Sequence, residues 1–455
     1  MAIREKPCCE PRTLRRFALV PALFLAACAL PDRADRSDHR RAEAPPAGDL
    51  LAGGPAFAAP RTGPLRSPPP VGVVTDIDGL RVLRLRGTPH ELGYQHGLAL
   101  AADIKAGFEA FVLGYRCRGI RARYLQVMKQ IEREIDLPQS LLDELDGMVA
   151  GMTASGVDLT LPIVRRPLER IDLVALNTLD HWGLIGCSGV TAWGAATDDG
   201  AVLVARNFDF DVDRPDHTIA RLNVVLSFEP AGGVPFVSVA FPGLIGVASG
   251  LNARGVGAFL HVGNGAFGGG DEGVSRPLMV IARELVEHCD SGAAIDAARS
   301  ALRAARIRNP FLLRVTTDGV AGAPTAVFEI DPLAVGEQPL PEPGAAPLLL
   351  TTNHFTTERT TFPAIPDSKI RWCALEEHVK EALATGDSRL DADEAWRGLA
   401  RVAQHSGNVT LHSLVWRPRS GDLLLSVSAV HDGRITAATK QPARRFHLSE
   451  LLAAE

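Results

Sequence analysis

The apolar positions of this chain change character along its length, and each change marks a boundary. An unbroken apolar run from Phe17 to Ala27 follows Arg12, Arg15 and Arg16. A positive stretch followed by a short apolar one is the layout of an export signal, and the run is shorter than the roughly 20 apolar residues that a membrane-spanning helix needs. From Ala29 to about Pro70 the chain is rich in Ala, Pro, Gly, Asp and Arg without periodicity. Such a segment cannot bury enough apolar surface to offset chain entropy, so it is expected to be a flexible tether. Val71 to Arg86 alternates as a short hairpin turning at Asp76-Ile77-Asp78-Gly79. Thr88 then offers an N-cap, Pro89 a first helical position and Glu91 the third residue of a capping box. The helix that follows sets Leu92, Gln95 or His96, Leu100, Ile104, Phe108 and Phe111 near one face. Gly93 and Gly97 lie four apart, spacing that lets a neighbouring element approach closely. Further helices are expected over about 121–136, 138–155 and 167–184, so residues 71–186 are mainly helical.

Beyond Gly186 the period shortens to that of strands. Val190 to Trp193 and Ala201 to Ala205 flank Thr197-Asp198-Asp199-Gly200, a tight-turn signal. More strands are expected at Leu222 to Phe228, Phe236 to Phe241, Val256 to Val262, Leu312 to Thr317, Thr325 to Ile330 and Leu348 to Thr352. Leu411 to Trp416 and Leu423 to Ser428 form a last hairpin. Helical patterns run from Pro277 to His288, from Gly292 to Ala304, and over about 368–383 and 392–404. The glycine-rich Gly263 to Gly270 stretch lacks the strand-to-helix setting of a phosphate loop and reads as a loop over a site. The whole is an α+β pattern, and its grouping of strands and helices suits helices packed outside two antiparallel sheets.

Composition narrows the function. The 455 residues are 46% hydrophobic and 22% charged, enough to build a large core, and the net charge of −5 gives nucleic-acid binding little electrostatic support. Seven cysteines, at 8, 9, 28, 117, 187, 289 and 373, include no C-x-x-C pair, which argues against a zinc ribbon or redox motif. His90-Glu91 begins like a zincin helix, but position 94 is tyrosine, so no metal and no cofactor is expected. Leu25-Ala26-Ala27-Cys28 is similar to the bacterial lipobox, in which the cysteine is lipidated and becomes the first mature residue. With Ala29 after it, that likeness implies a lipid anchor at Cys28 on the periplasmic face of the outer membrane.

The chemistry gathers at Gly186-Cys187-Ser188 and Arg206-Asn207-Phe208-Asp209-Phe210. With Asp198-Asp199 as a two-residue loop, Cys187 faces Phe210 and Ser188 faces Asp209. With Asp199-Gly200, Asp209 faces Val190. Either register returns Arg206 and Asp209 to the neighbourhood of Cys187, since opposed residues lie only about 5 Å apart. Charge inside an apolar strand pair is costly unless partnered, so these two residues need a reason to be there.

These segments, with Thr352-Asn353-His354-Phe355, resemble the cysteine N-terminal-nucleophile hydrolases. The nearest likeness is to the isopenicillin N acyltransferase-like peptidases and acyltransferases, with choloylglycine hydrolases and acid ceramidases as more distant relatives. Gly87-x-x-x-Glu91-x-Gly93-x-Gln95-x-Gly97 resembles that family's propeptide. The resemblance spans roughly residues 80 to 430 and implies a four-layer αββα sandwich. It also implies that Cys187 attacks the carbonyl of Gly186, so that scission frees its own α-amino group as base. Asp209 would hold that amino group, and Arg206 would hold Asp209 or the thiolate. Asn264 and Asn353 would serve the oxyanion, and Arg371, with Arg359 as rival, would be the late arginine. Ser188 departs from the threonine more often found there but keeps the hydroxyl.

The expected organisation is a signal peptide (1–27), a tether (28–70), a propeptide or α-chain (71–186) and a catalytic segment (187–455). The expected function is a self-processed cysteine amidohydrolase or acyltransferase that acts on a small acyl-amide through a thioester. A phospholipid- or ceramide-directed acyl hydrolase and a catalytically silent envelope lipoprotein are the alternatives. Oligomeric state and the identity of the acyl acceptor are left open.

Overall fold

Two large sheets stack face to face, and helices cover both outer faces. This computed structural model describes residues 65–182, 185–211, 217–268, 273–320, 322–357, 362–384 and 389–452, all within a compact unit spanning Pro55–Glu455. The expected signal peptide, the lipidation site Cys28, most of the tether and Arg359 lie outside the described residues.

The first sheet has nine strands in the order Val74–Ile77, Leu80–Gly87, Val224–Pro230, Phe236–Ala240, Ser249–Asn252, Gly257–Val262, Phe311–Thr316, Thr325–Asp331 and Ala334–Glu337. The second runs Leu348–Thr351, Ile185–Ala192, Leu203–Asp211, Asn408–Trp416, Asp422–Val427 and Arg444–His447, with His405–Ser406 pairing on Asn408–Trp416. Val82, Val225, Val237, Val239 and Phe259 from the first sheet meet Val204, Leu414, Trp416 and Leu425 from the second in a buried middle layer. On the far side of the second sheet, Val190, Ala192, Leu203 and Ala205 pack on Leu375, Val379 and Trp396 of the helices Pro366–Ala384 and Ala392–Arg401. The order is helix, sheet, sheet, helix, the four-layer α+β arrangement anticipated above.

The N-terminal segment is woven into this fold. Leu80–Gly87 pairs in parallel with Val224–Pro230 and so sits inside the nine-stranded sheet. Asp78 and Gly79, both at positive φ, make its hairpin turn. The helix Pro89–Phe108 starts at Thr88 with both halves of the capping box formed. Its glycines do what their spacing suggested. A Cβ on Gly97 would lie 2.1 Å from the Met148 carbonyl oxygen, and one on Gly151 of the helix Gln139–Ala154 would lie 2.1 Å from that of Tyr94. The helix expected over 167–184 is shorter. It spans Arg170–Leu176 and stops where the Asn177 side chain donates to Leu173 and Gly243 carbonyls and accepts from Ile245 N–H.

A buried charge cluster joins this segment to the rest. Arg283 donates to Glu144 Oε2 at 3.2 Å, to Glu287 Oε2 at 2.6 Å and to the Ile245 carbonyl at 2.9 Å, with its guanidinium over Phe228 and Phe236. One cation serves two carboxylates. Burial therefore pushes Glu144, the more enclosed of the two, up to about 7 despite the arginine. A folded value above the unfolded one means the native state holds a proton that the unfolded chain releases. The stabilisation is full below about pH 4.5 and is lost as pH rises through about 7. Glu144→Gln is expected to flatten the melting temperature between those limits, removing a slope worth on the order of 3 kcal/mol. A variant whose pH profile overlays the parent's would refute this.

Candidate active site

Cys187 lies on the second strand of the smaller sheet, fully buried. Its cross-strand partner is Phe208, with Gly189 opposite Arg206 and Gly186 opposite Asp209. Neither register expected from a two-residue turn occurs. The connection runs from Trp193 to Val202 through a short 3-10 turn, and Thr197 bridges to Leu390 of the helical layer. This longer connection slides the return strand past the expected pairing.

The slip moves Asp209 from opposite Ser188 or Val190 to opposite Gly186, and because it is an even number of residues each side chain keeps the sheet face that alternation gives it. Arg206 and Phe208 share the face of Cys187, while Asp209 sits on the other. Arg206 Nη2 lies 3.2 Å from Cys187 Sγ and donates to the Leu260 carbonyl at 2.7 Å. The thiol itself donates to the same carbonyl at 3.2 Å. Asp209 Oδ1 accepts from Thr410 Oγ1 at 2.6 Å, and its Oδ2, 3.7 Å from Arg371 Nη1, accepts no hydrogen bond among the described residues. Arg206 and Asp209 therefore serve different partners rather than each other.

Gly186 has a steric role. Its φ is not in the left-handed region, but a Cβ there would press to 3.1 Å from Asp209 Cβ. A larger residue would push the carboxylate away from the strand end that carries Cys187.

Asn353 and Arg371 clamp the backbone of Cys187. Asn353 Oδ1 accepts from Cys187 N–H at 2.9 Å and from Arg371 Nη2 at 2.8 Å, while its Nδ2 donates to the Val262 carbonyl at 2.9 Å. Arg371 Nη1 donates to the Cys187 carbonyl at 2.7 Å, and its Nε to Asp367 at 2.8 Å. Arg371 is thus buried at the site, although its helix pattern alone allowed a solvated charge. Asn264 stands apart. Its Oδ1 accepts from Phe355 N–H at 2.7 Å and its Nδ2 donates to the Phe362 carbonyl at 2.8 Å. It thereby shapes the loop that carries Asn353, with one of its two amide protons committed to Phe362.

Burial dominates the electrostatics. It pushes the Cys187 thiol up to about 11, opposed by Arg206 and reinforced by Asp209. It raises Asp209 against the pull of Arg371 and Thr410, and lowers Arg206. His261, on the strand facing the site, is held neutral by burial and by Arg206, Arg314 and Arg371. In this chain the sulfur is a protonated, shielded thiol. An apolar cavity lies close by, lined by Leu179, Phe208, Phe210, Phe241, Leu244 and Met279. Leu179 belongs to the segment just ahead of Gly186.

Sequence reasoning missed Ser368, Thr410 and Arg314. Ser368 Oγ accepts from Asn353 N–H at 2.7 Å and so fixes the clamp. Among the described residues no group of three or more His, Cys, Asp or Glu could hold a metal ion, and no helix is long and apolar enough to cross a membrane.

No family model matches the chain. An uncharacterised protein of Archaeoglobus fulgidus is 28% identical over 205 residues, which cover 41% of this chain and 34% of that protein. The chain therefore spans about a third of that relative's length. Among solved structures, a Caenorhabditis elegans ortholog of N-acylethanolamine-hydrolyzing acid amidase is similar with a TM-score of 0.39 at 17% identity, over 51% of this chain and 93% of that one. A conjugated bile acid hydrolase from Clostridium perfringens has a TM-score of 0.35 at 12% identity, over 59% and 99%. Penicillin V acylase from Agrobacterium tumefaciens has 0.37 at 11% identity, over 53% and 83%.

Proposed function

We propose that this chain is a cysteine N-terminal-nucleophile amidohydrolase that activates itself by breaking the Gly186–Cys187 bond. The observation that carries the reading is Asp209 Oδ2, which accepts no hydrogen bond among the described residues and lies across the strand pair from Gly186, next in the chain to a thiol already contacted by Arg206. The sulfur adds to the Gly186 carbonyl carbon, its proton passes to the amide nitrogen, the C–N bond breaks, and that nitrogen becomes the new α-amino group of Cys187. Water then hydrolyses the thioester and releases Gly186 as a carboxylate.

That amino group has an ordinary pKa of about 7.7–8.0, so it can take the thiol proton near neutral pH. Asp209, opposite Gly186 across the strand pair, would hold it. The thiolate next attacks a substrate amide, the amine leaves with a proton, and water or a second amine resolves the acyl thioester. The cavity beside Phe208 is apolar but about the size of a single water molecule, so it favours neither an acyl-amide nor the lipid-directed alternative, a phospholipid or ceramide-like acyl bond. The export signal and the Cys28 anchor would set either activity in the cell envelope.

Intact-mass analysis of the purified full-length protein tests the reading. A fragment beginning at Cys187, together with hydrolysis of a panel of acyl-amides, is the expected result. An uncut chain at neutral pH that hydrolyses none of them would sink it, as would an activity abolished by a chelator. Turnover of phospholipids in preference to amides would favour the alternative.

A further inference from the structure

A third buried arginine lies beside the nucleophile. Arg314, on the strand Phe311–Thr316, is fully buried and pairs across the sheet with Phe259. Its Cζ is 4.9 Å from the Phe259 ring centroid, and that of Arg206 is 5.5 Å from the same ring. The two guanidinium groups share one aromatic side chain. Nη2 of Arg314 donates to the Ala205 carbonyl at 3.0 Å, but its Nε and Nη1 have no hydrogen-bond partner among the described residues. Both terminal nitrogens would lie 2.8 Å from a Cβ on Gly189. Gly189 is two residues from Cys187 on the same face of the same strand, so its missing side chain is the space that the guanidinium fills.

Such a placement is costly. A buried charge is destabilising unless it is paired, and no carboxylate pairs with Arg314 among the described residues. Glu329, on the neighbouring strand, is engaged by Thr356, Thr357 and Gln338. A packing role needs no charge, since methionine offers a similar apolar volume. The groups acting on this position are Cys187 on the nucleophile strand, Arg206 on the return strand and neutral His261 on Gly257–Val262, with Glu329 two residues along from Val327, the cross-strand partner of Arg314; Asp209 lies on the opposite face of the return strand.

We infer that Arg314 is a positioning residue for Cys187, a second buried cation that acts with Arg206 to favour the thiolate over the thiol. The inference rests on the proposal that Cys187 is the nucleophile. The dependence runs both ways. Burial and the charge of Arg206 push Arg314 down, and a negative sulfur at Cys187 raises it again, so each charge favours the other. Loss of the cation therefore leaves the thiolate less stabilised, while loss of the side-chain volume alone does not.

The test is the ultraviolet thiolate absorbance of the full-length protein against pH, taken as the difference from the same protein carrying Cys187→Ser. In Arg314→Met the Cys187 midpoint is expected to rise by about one pH unit, so that thiolate falls roughly tenfold on the acid side of the transition. Arg314→Lys should restore most of the wild-type midpoint. A folded Arg314→Met protein with an unmoved midpoint overturns the assignment. Should that variant fail to fold, Arg314→Gln, which keeps a donor for the Ala205 carbonyl, carries the same readout. The midpoint can be read whether or not the protein cleaves amides. A wild-type chain without amidase activity therefore sinks the functional reading alone, and an unmoved midpoint sinks the role of Arg314 alone.

Discussion

Cys187→Ala is expected to yield a single uncut chain and to lower amide hydrolysis by about three orders of magnitude or more, the usual scale for deleting a covalent nucleophile. The variant should still fold. Arg371 and Asn353 hold the backbone of residue 187 through its carbonyl and N–H, not through the sulfur. Cys289→Ala is the matched control. That cysteine caps the helix Leu278–His288 and is half-buried, and its loss should change neither processing nor turnover. Intact mass and a single acyl-amide assay read both outcomes. A Cys187→Ala protein that still divides at Gly186 would show that another group performs the scission. The two wild-type fragments should elute together and part only in denaturant, because Leu80–Gly87 is an interior strand of the large sheet and Arg84 pairs with Glu229 beneath it.

What could be read from the sequence follows the range of the interaction. The start at Thr88 was legible because a capping box is complete within four residues. The proximity of Arg206 to Cys187 was legible because hairpins are local. The register was not. It depends on a contact between Thr197 and Leu390, nearly two hundred residues apart, which no turn signal encodes. Residues 221–262 read as strands, but Ser249–Asn252 did not stand out as one of them, since Ser-Gly-Leu-Asn carries little alternation and its neighbours in the sheet define it. Asn264 was assigned by its place after the cysteine, but the hydrogen bonds of its amide are made to a loop about ninety residues later. Arg314 is instructive in the other direction. A lone charge in Phe311-Leu312-Leu313-Arg314-Val315 is the same signal that singled out Arg206, and that criterion applied evenly along the chain would have found it.

Gly97→Ala is expected to destabilise the protein by at least about 3 kcal/mol, although alanine is the better helix former by about 1 kcal/mol. The two effects have opposite signs, and geometry decides between them. The added Cβ would sit 2.1 Å from the Met148 carbonyl oxygen, 2.9 Å from its carbon and 2.9 Å from Met152 N, all backbone atoms that no rotamer change can move. Relief requires the helices Pro89–Phe108 and Gln139–Ala154 to separate by roughly 1 Å, since unstrained carbon contacts lie near 3.5 Å or beyond. That separation would also loosen the contacts made at Gly93, Gly147 and Gly151, where a Cβ would fall between 1.7 and 2.1 Å from a facing carbonyl oxygen. Gly107→Ala on the same helix is the control, because its Cβ would meet Leu222 Cδ1 at 3.5 Å and the Pro242 carbonyl oxygen at 3.7 Å, ordinary contact distances. It should be neutral or stabilising. Both are best compared by thermal melting in the Cys187→Ala background, where one covalent species is present. Equal melting temperatures would show that the helices part without cost. A drop confined to Gly97→Ala would show that the close seam holds the N-terminal segment, and with it the residues just ahead of Gly186, against the nucleophile.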